Sequence, residues 1–250
     1  MKHIPQINLF YWALIISANT MGETAGDLIS QTFHLGYGGG TVALLILFLV
    51  ALTISIYSKS QKPLVYWTVI TMASTLGTTI SDFISRTVSV NYLGVTQETG
   101  YIYASLFLVF ALVLTFGIWK WHSKTNTIES GLSKRTEFLY WIAILVSSTL
   151  GTAFGDFLAH DTVLGFDGGT LLLLALLSVV VLLVYFTTIS RGVLYWSAII
   201  LTHPIGATMG DYLTKPEGLN LGNVNASLVL VIVFMVVIFT GKLTHKTLVV

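Results

Sequence analysis

Long apolar segments, separated by short breaks, follow one another along the whole chain. The hydrocarbon core of a bilayer is about 30 Å thick, and a helix needs about 20 apolar residues to cross it. Segments of this kind lie at 8–30, 41–58, 64–86, 101–119, 138–160, 169–188, 193–213 and 223–241. The breaks at 35–40, 59–63, 164–169 and 215–218 are rich in glycine, proline and other turn residues. The pattern predicts an all-α integral membrane protein with eight transmembrane helices.

The odd-numbered segments share one motif, a Tyr-Trp pair followed by small residues and by an aspartate fifteen positions after the tryptophan. The tryptophans are Trp12, Trp67, Trp141 and Trp196, and the aspartates are Asp27, Asp82, Asp156 and Asp211. The motifs within each half are 55 positions apart, and the second half repeats the first 129 positions later. A two-helix unit preserves direction, so four parallel repeats are expected. We expect a first four-helix half at 1–119, a cytoplasmic linker at 120–137 and a second half at 138–250.

Small residues recur ten and fourteen positions after each tryptophan. The first position holds Gly22, Gly77, Gly151 and Gly206, and the second holds Gly26, Ser81, Gly155 and Gly210. Small residues four apart allow helix backbones to approach closely in lipid. The pattern therefore predicts that the four odd-numbered helices converge on one another.

The aspartates are the candidate functional residues, because ionisable groups inside membrane segments are costly and usually functional. Fifteen residues correspond to about 22 Å of helix, which puts the carboxylates in the outer third of the membrane around a shared central space. Glu23 lies one turn deeper and has no acidic counterpart in the other copies. We predict that Asp27, Asp82, Asp156, Asp211 and Glu23 bind a cation and are the candidate metal ligands. The supporting polar residues would be Thr20, Thr75, Thr78, Thr149, Thr152, Asn19 and His203.

Structural roles compete with these functional ones. The Tyr-Trp pairs are typical of an aromatic belt at the cytoplasmic interface. Each aspartate could instead cap the following helix. Arg86 and Lys215, four residues after Asp82 and Asp211, are expected to act as outer-surface counter-ions. His160 has the same position after Asp156.

Composition and charge support a membrane location. Apolar residues make up 54% of the chain and charged residues 9%, against about 25% charged in soluble domains. The positive-inside rule assigns both termini to the cytoplasm, because ten of the twelve Lys and Arg residues fall on that side and only Arg86 and Lys215 on the other. No basic run suggests nucleic acid, and the absence of cysteine excludes thiolate metal sites. An inner-membrane location is expected.

The tryptophan-marked repeats resemble a family of bacterial eight-helix membrane proteins built from four tandem copies of a repeat of unknown function. The resemblance covers essentially the whole chain, with the characteristic tryptophans at Trp12, Trp67, Trp141 and Trp196. It implies a topology and no substrate, because the family has no settled activity.

Converging carboxyls at low dielectric cannot all be ionised unless a cation lies among them. Oxygen ligands without cysteine suit Mg²⁺, Mn²⁺ or Ca²⁺, and protons compete for the same oxygens. We predict a divalent-cation transporter, with proton coupling as an option, rather than an enzyme. The cation is substrate, no cofactor is expected, and an oligomer is compatible with the sequence. Alternatives are an intramembrane aspartyl protease and a carrier or receptor for a small organic cation.

Overall fold

A computed structural model describes residues 7–58, 63–123 and 133–247, with side chains through residue 240, and all regular secondary structure in these residues is helical. Four helices, here called inner helices, carry the repeat motif. They are α1 (Leu9–Asp27), α3 (Pro63–Asp82), α6 (Lys134–His160) and α8 (Arg191–Thr214). The outer helices are α2 (Gly36–Tyr57), α5 (Gln97–Ser123), α7 (Gly165–Phe186) and α9 (Gly222–Thr247). A short helix, α4 (Ser89–Leu93), precedes α5, and π-helical segments extend α1 over Leu28–Thr32 and α3 over Phe83–Val88.

The helices begin at signals that the repeats share. Asn8, Ser133 and Ser190 accept a hydrogen bond from the first turn of α1, α6 and α8, which satisfies an amide that would otherwise lack a partner. The outer helices start at or shortly after a glycine with positive φ, a conformation that costs glycine little. These glycines are Gly36, Gly94, Gly165 and Gly222.

Several helix boundaries differ from the predicted ones. Segments 36–40 and 165–169 were expected to be loops, yet they form the first turns of α2 and α7. In each glycine run only the first glycine has a positive φ. The later glycines are helical, and Gly40 lies close to Ser30. The linker expected at 120–137 is shorter, since α5 continues through Ser123 and α6 begins at Lys134. Residues 124–132 lie outside the described chain, as do Lys2, Lys59 and Lys62 of the charge count.

The four inner helices form a closed ring in which α1 packs on α3, α3 on α6, α6 on α8 and α8 on α1. Each outer helix packs mainly on the inner helix of the next repeat, so α2 covers α3, α5 covers α6, α7 covers α8, and α9 returns to α1. The last repeat therefore covers the first. The two predicted halves therefore pack into a single helical bundle.

Five helices of the described chain are long and apolar enough to cross a membrane: α2, α5, α6, α7 and α9. The outer helices bury a narrow stripe and expose apolar side chains on the rest of their surface. In α2, for example, Leu44, Phe48 and Leu52 are buried, whereas Ile46 and Val50 are exposed. Helices that are apolar all round are typical of contact with lipid.

The predicted convergence at the glycines is present in all four copies. A Cβ atom added to the first glycine of each repeat would lie 2.2–2.5 Å from a side-chain atom of the next inner helix. The pairs are Gly22 with Ser74, Gly77 with Ser148, Gly151 with His203 and Gly206 with Asn19. Glycine is required because any side chain there would force neighbouring helices apart.

All four tyrosines of the Tyr-Trp pairs are buried, and so are the tryptophans of the last three pairs, which contradicts the interpretation of these pairs as a surface aromatic belt; Trp12 is half-buried. Trp67, Trp141 and Trp196 are at most 5% exposed. Their rings pack between helices, as Trp196 does against Phe116 and Trp119 of α5. The sequence pattern is the same for a belt and for a core layer, because both lie near a helix end.

We expect Gly206→Ala to destabilise the protein. The new methyl group would lie 2.4 Å from Cβ of Asn19 and 2.7 Å from its backbone carbon, and overpacking of this kind costs about 1–3 kcal/mol. The matched control is Gly117→Ala in α5, where no atom lies within 4 Å and the substitution should gain about 0.5–1 kcal/mol. Thermal unfolding of purified protein in detergent measures both, and a Gly206→Ala protein as stable as wild type would contradict the ring contact.

Candidate functional site

Four tyrosine hydroxyls close the ring of inner helices at one end. Tyr11 contacts Tyr66 at 2.9 Å and Tyr195 at 2.7 Å, and Tyr140 contacts Tyr66 at 2.9 Å and Tyr195 at 3.1 Å, oxygen to oxygen. A hydroxyl can donate one hydrogen bond and accept another, so the four can satisfy one another in a closed cycle. Because each tyrosine lies near the start of its helix and the four meet, the inner helices run in the same direction.

A layer of isoleucines follows the tyrosines. Ile15, Ile70, Ile144 and Ile199 lie one turn further along each inner helix and are at most 2% exposed. Sequence analysis missed this layer, although the same residue type occupies the same position in every copy. It separates the tyrosine hydroxyls from the polar part of the bundle with side chains that cannot hydrogen-bond.

The next layer is polar and differs between the copies. Ser74 donates to the backbone oxygen of Asn19, and Ser148 donates to that of Ser74. The Asn19 amide nitrogen lies 3.4 Å from Thr202 Oγ1, while its Oδ1 is buried without a hydrogen-bond partner. Nδ1 of His203 contacts the backbone oxygen of Ile199 at 2.8 Å, which makes Nδ1 the protonated nitrogen.

Glu23 is fully enclosed by the bundle, with 4% of its surface exposed. Its Oε2 accepts hydrogen bonds from Thr78 at 3.0 Å and from Thr152 at 2.9 Å. The hydroxyls of Thr78 and Thr152 are 3.3 Å apart, so three inner helices meet at this carboxylate. The other predicted threonines do not join it, because their hydroxyls bond to carbonyls of their own helices: Thr20, Thr75 and Thr149.

The four aspartates lie together at the other end of the inner helices, and each is at most 3% exposed. Arg86 bridges two of them, with Nε 2.6 Å from Asp82 Oδ1 and a terminal nitrogen 3.1 Å from Asp156 Oδ2. Lys215 Nζ lies 2.5 Å from Asp27 Oδ2 and 3.5 Å from Asp211 Oδ1. We call the four aspartate carboxyl groups the carboxylate ring.

The contacts of Arg86 and Lys215 go beyond the predicted ones. The i, i+4 spacing indicated their bonds to Asp82 and Asp211, but not the second bond that each makes to the aspartate of the following repeat. Gln31, which sequence analysis missed, donates from Nε2 to Asp27 Oδ1 at 2.5 Å. It occupies the position of Arg86 and Lys215 in the first repeat, and this equivalence is the signal that could have identified it.

The capping role considered for the aspartates is absent at Asp27 and Asp82. Both have helical backbone angles and make no side-chain capping bond. The helix continues beyond each as a π-helical segment, a rare conformation that is frequent at functional sites. Asp156 and Asp211 lie inside the last turns of α6 and α8.

The repeats defined by this geometry match a known family along most of the chain. Residues 10–61, 65–125, 139–190 and 194–247 each match the family described as a Repeat of Unknown Function. The chain belongs to the DUF347 family. The resemblance noted from the four tryptophans is therefore confirmed, and each DUF347 repeat consists of one inner and one outer helix. Comparisons with curated proteins and with solved structures find no match.

The DUF347 repeats supply more acids than bases to the bundle interior. Five carboxyl groups, those of the four ring aspartates and Glu23, are buried beyond the isoleucine layer, and among the described residues two basic side chains, Arg86 and Lys215, form ion pairs with the aspartates. The interior thus favours an additional cation or protons.

We expect Arg86→Gln to destabilise the protein strongly. It leaves Asp82 and Asp156 buried without the cation that bridges them, and the loss of one partner from a buried pair costs about 3–5 kcal/mol. The matched control is Arg191→Gln, an exposed arginine at the start of α8 that bonds a backbone oxygen.

The charge argument also predicts partial rescue. Arg86→Gln leaves two carboxylates without their cation, and the double variant Arg86→Gln with Asp82→Asn removes one of them. It should therefore recover part of the stability, as measured by thermal unfolding. If Arg86→Gln were as stable as Arg191→Gln, the bridge would contribute nothing.

Proposed function

We propose that the protein is an eight-helix inner-membrane cation transporter with both termini in the cytoplasm, and that its substrate is a divalent metal ion. All eight long helices would cross the bilayer, including α1, α3 and α8, whose polar residues are enclosed by other helices. The distribution of Lys and Arg between the two sides supports the cytoplasmic location of both termini. The exposed apolar surface of the outer helices supports contact with lipid.

The observation that carries the proposal is the excess of buried acids over bases. Five carboxyls share two basic side chains, and uncompensated buried charge is strongly unfavourable. A divalent cation, or protons in its place, would balance the excess. Alternate occupancy by metal and protons is a natural mechanism of coupled transport.

The order of the layers supports a transport pathway along the bundle axis. The polar region around Glu23 lies between two closures. The tyrosine hydroxyl cycle and the isoleucines close the cytoplasmic end, and the bridges of Arg86 and Lys215 close the outer end. A site between two closures fits a carrier that opens to one side at a time better than an open pore.

The two alternative functions have less support. In an aspartyl protease two aspartates share a proton, whereas here the Arg86 guanidinium contacts one oxygen of Asp82 and one of Asp156. An organic-cation carrier would need aromatic side chains facing a cavity. Here the four repeat tyrosines bond one another and the tryptophans pack between helices.

The topology predicts asymmetric labelling of introduced cysteines, and the cysteine-free chain needs no background substitutions. Cysteine at Tyr92, which is 80% exposed near the carboxylate ring, should react with a membrane-impermeant maleimide in intact cells. Cysteine at Thr188, between α7 and α8, should react only after permeabilisation. The reverse pattern would show that the orientation is wrong.

We expect Glu23→Gln to reduce transport strongly without unfolding the protein. Glutamine keeps the volume and an acceptor oxygen for Thr78 and Thr152 but removes the charge. Loss of one charged ligand should weaken binding by about tenfold or more. The measurement is Mn²⁺ uptake by proteoliposomes together with thermal unfolding, with Mg²⁺ and Ca²⁺ compared.

The matched control for this prediction is Glu98→Gln, an exposed acid in the first turn of α5. It should transport like wild type. A well-folded Glu23→Gln protein with normal uptake of the tested ions would refute the proposed role of Glu23. If wild-type protein neither transports nor is stabilised by any of these ions, the transporter proposal itself fails, since a ligand at a hundred times its Kd should add about 2.7 kcal/mol.

A further inference from the structure

The residues four positions after the ring aspartates divide the carboxylate ring into two kinds of sector. Each sector lies between the aspartates of successive repeats. Arg86 occupies the sector of Asp82 and Asp156, and Lys215 occupies that of Asp211 and Asp27. The equivalent residues of the first and third repeats are Gln31 and His160, so cationic sectors alternate with sectors that hold no permanent charge.

The third-repeat sector combines two carboxylates with an imidazole. One ligand atom each from Asp156, His160 and Asp211 lies within 4.8 Å of the others. His160 makes no direct hydrogen bond or ion pair with either aspartate in the described part of the chain. Two ligands on opposite sides of one ion, each about 2.1 Å from it, are about 4.2 Å apart. The separation therefore leaves room for an ion between them.

Both aspartates have oxygens available to this sector. Asp156 and Asp211 are 1% and 3% exposed. Arg86 bonds Oδ2 of Asp156, and Lys215 approaches Oδ1 of Asp211. The remaining oxygen of each has no protein partner among the described residues. A cation in this sector would pair with both of these oxygens.

Aromatic contacts hold the imidazole in position. The ring of His160 stacks on Tyr101 at 6.3 Å between centroids and meets the edge of Phe166 at 5.2 Å. The guanidinium carbon of Arg86 also lies over the Tyr101 ring, 5.6 Å from its centre. These ring contacts restrict the orientation of the His160 side chain. His160 itself remains exposed, so an ion can reach the sector from outside the bundle.

We propose that Asp156, His160 and Asp211 form a binding site for a divalent transition metal at the outer end of the ring. Imidazole with carboxylates suits Mn²⁺, Fe²⁺, Co²⁺ or Zn²⁺, whereas Mg²⁺ and Ca²⁺ prefer oxygen ligands alone. The metal site itself does not depend on the proposed transport function. If the bound ion is also the transported one, the site narrows the substrate from any divalent cation to a divalent transition metal.

The test is metal binding to the purified full-length protein, which needs no transport assay. Co²⁺ and Zn²⁺ are titrated by calorimetry, the visible absorption of bound Co²⁺ is recorded, and Mg²⁺ serves as the comparison. His160→Gln introduces the residue that the first repeat carries at this position, so the ring should tolerate it. His122→Gln, at an exposed histidine near the end of α5, is the matched control.

We expect wild type and His122→Gln to bind Co²⁺ and Zn²⁺ alike, and His160→Gln to bind both at least about tenfold more weakly with Mg²⁺ binding unchanged. The Co²⁺ spectrum should also change in His160→Gln. Equal Zn²⁺ affinity of His160→Gln and wild type would overturn the site. It would also be overturned if wild type bound neither Co²⁺ nor Zn²⁺.

The outcomes separate this inference from the transporter proposal. Metal binding that depends on His160, without uptake of any ion into proteoliposomes, would keep the site and remove the transport function. Uptake that depends on Glu23, together with metal binding that is unchanged in His160→Gln, would keep the transporter and remove the site.

Discussion

The close approach of the four inner helices at their glycines is the contact on which the rest of the structure depends. Each first-position glycine lies against a side chain of the next repeat, and Gly206 against Asn19 closes the circle. Only at this separation can the four tyrosine hydroxyls bond one another and three helices reach Glu23. A larger residue at one glycine would therefore disturb layers well away from it.

The outer helices stabilise the ring by crossing between repeats. Because each outer helix covers the following inner helix, and α9 covers α1, a single two-helix repeat cannot bury its own motif. This resembles the dependence of repeat proteins on their neighbours, but here the array closes on itself and has no terminal repeat. Four copies in one chain make the enclosed axis possible.

Chemical differences between the copies are superimposed on this nearly fourfold backbone. The tyrosines and isoleucines are the same in every repeat, whereas the layer of Glu23 contains two threonines and an alanine. At the carboxylate ring, four identical acids meet Gln31, Arg86, His160 and Lys215. The symmetric residues close the bundle and satisfy one another, so the unequal residues are where binding and selectivity can arise.

The sequence alone determined the helical class, the fourfold repeat, the parallel order of the inner helices and the identity of the buried acids. These follow from periodicity and from equivalent positions such as Trp12 and Trp67, which need no knowledge of contacts. Tertiary structure decided which side chains meet. The cross-repeat bonds of Arg86 and Lys215, the tyrosine cycle and the sector of His160 join residues of different repeats, from 51 positions apart for His160 and Asp211 to 188 for Lys215 and Asp27. Spacing along one helix cannot reveal them, because they depend on which helices become neighbours when the ring closes.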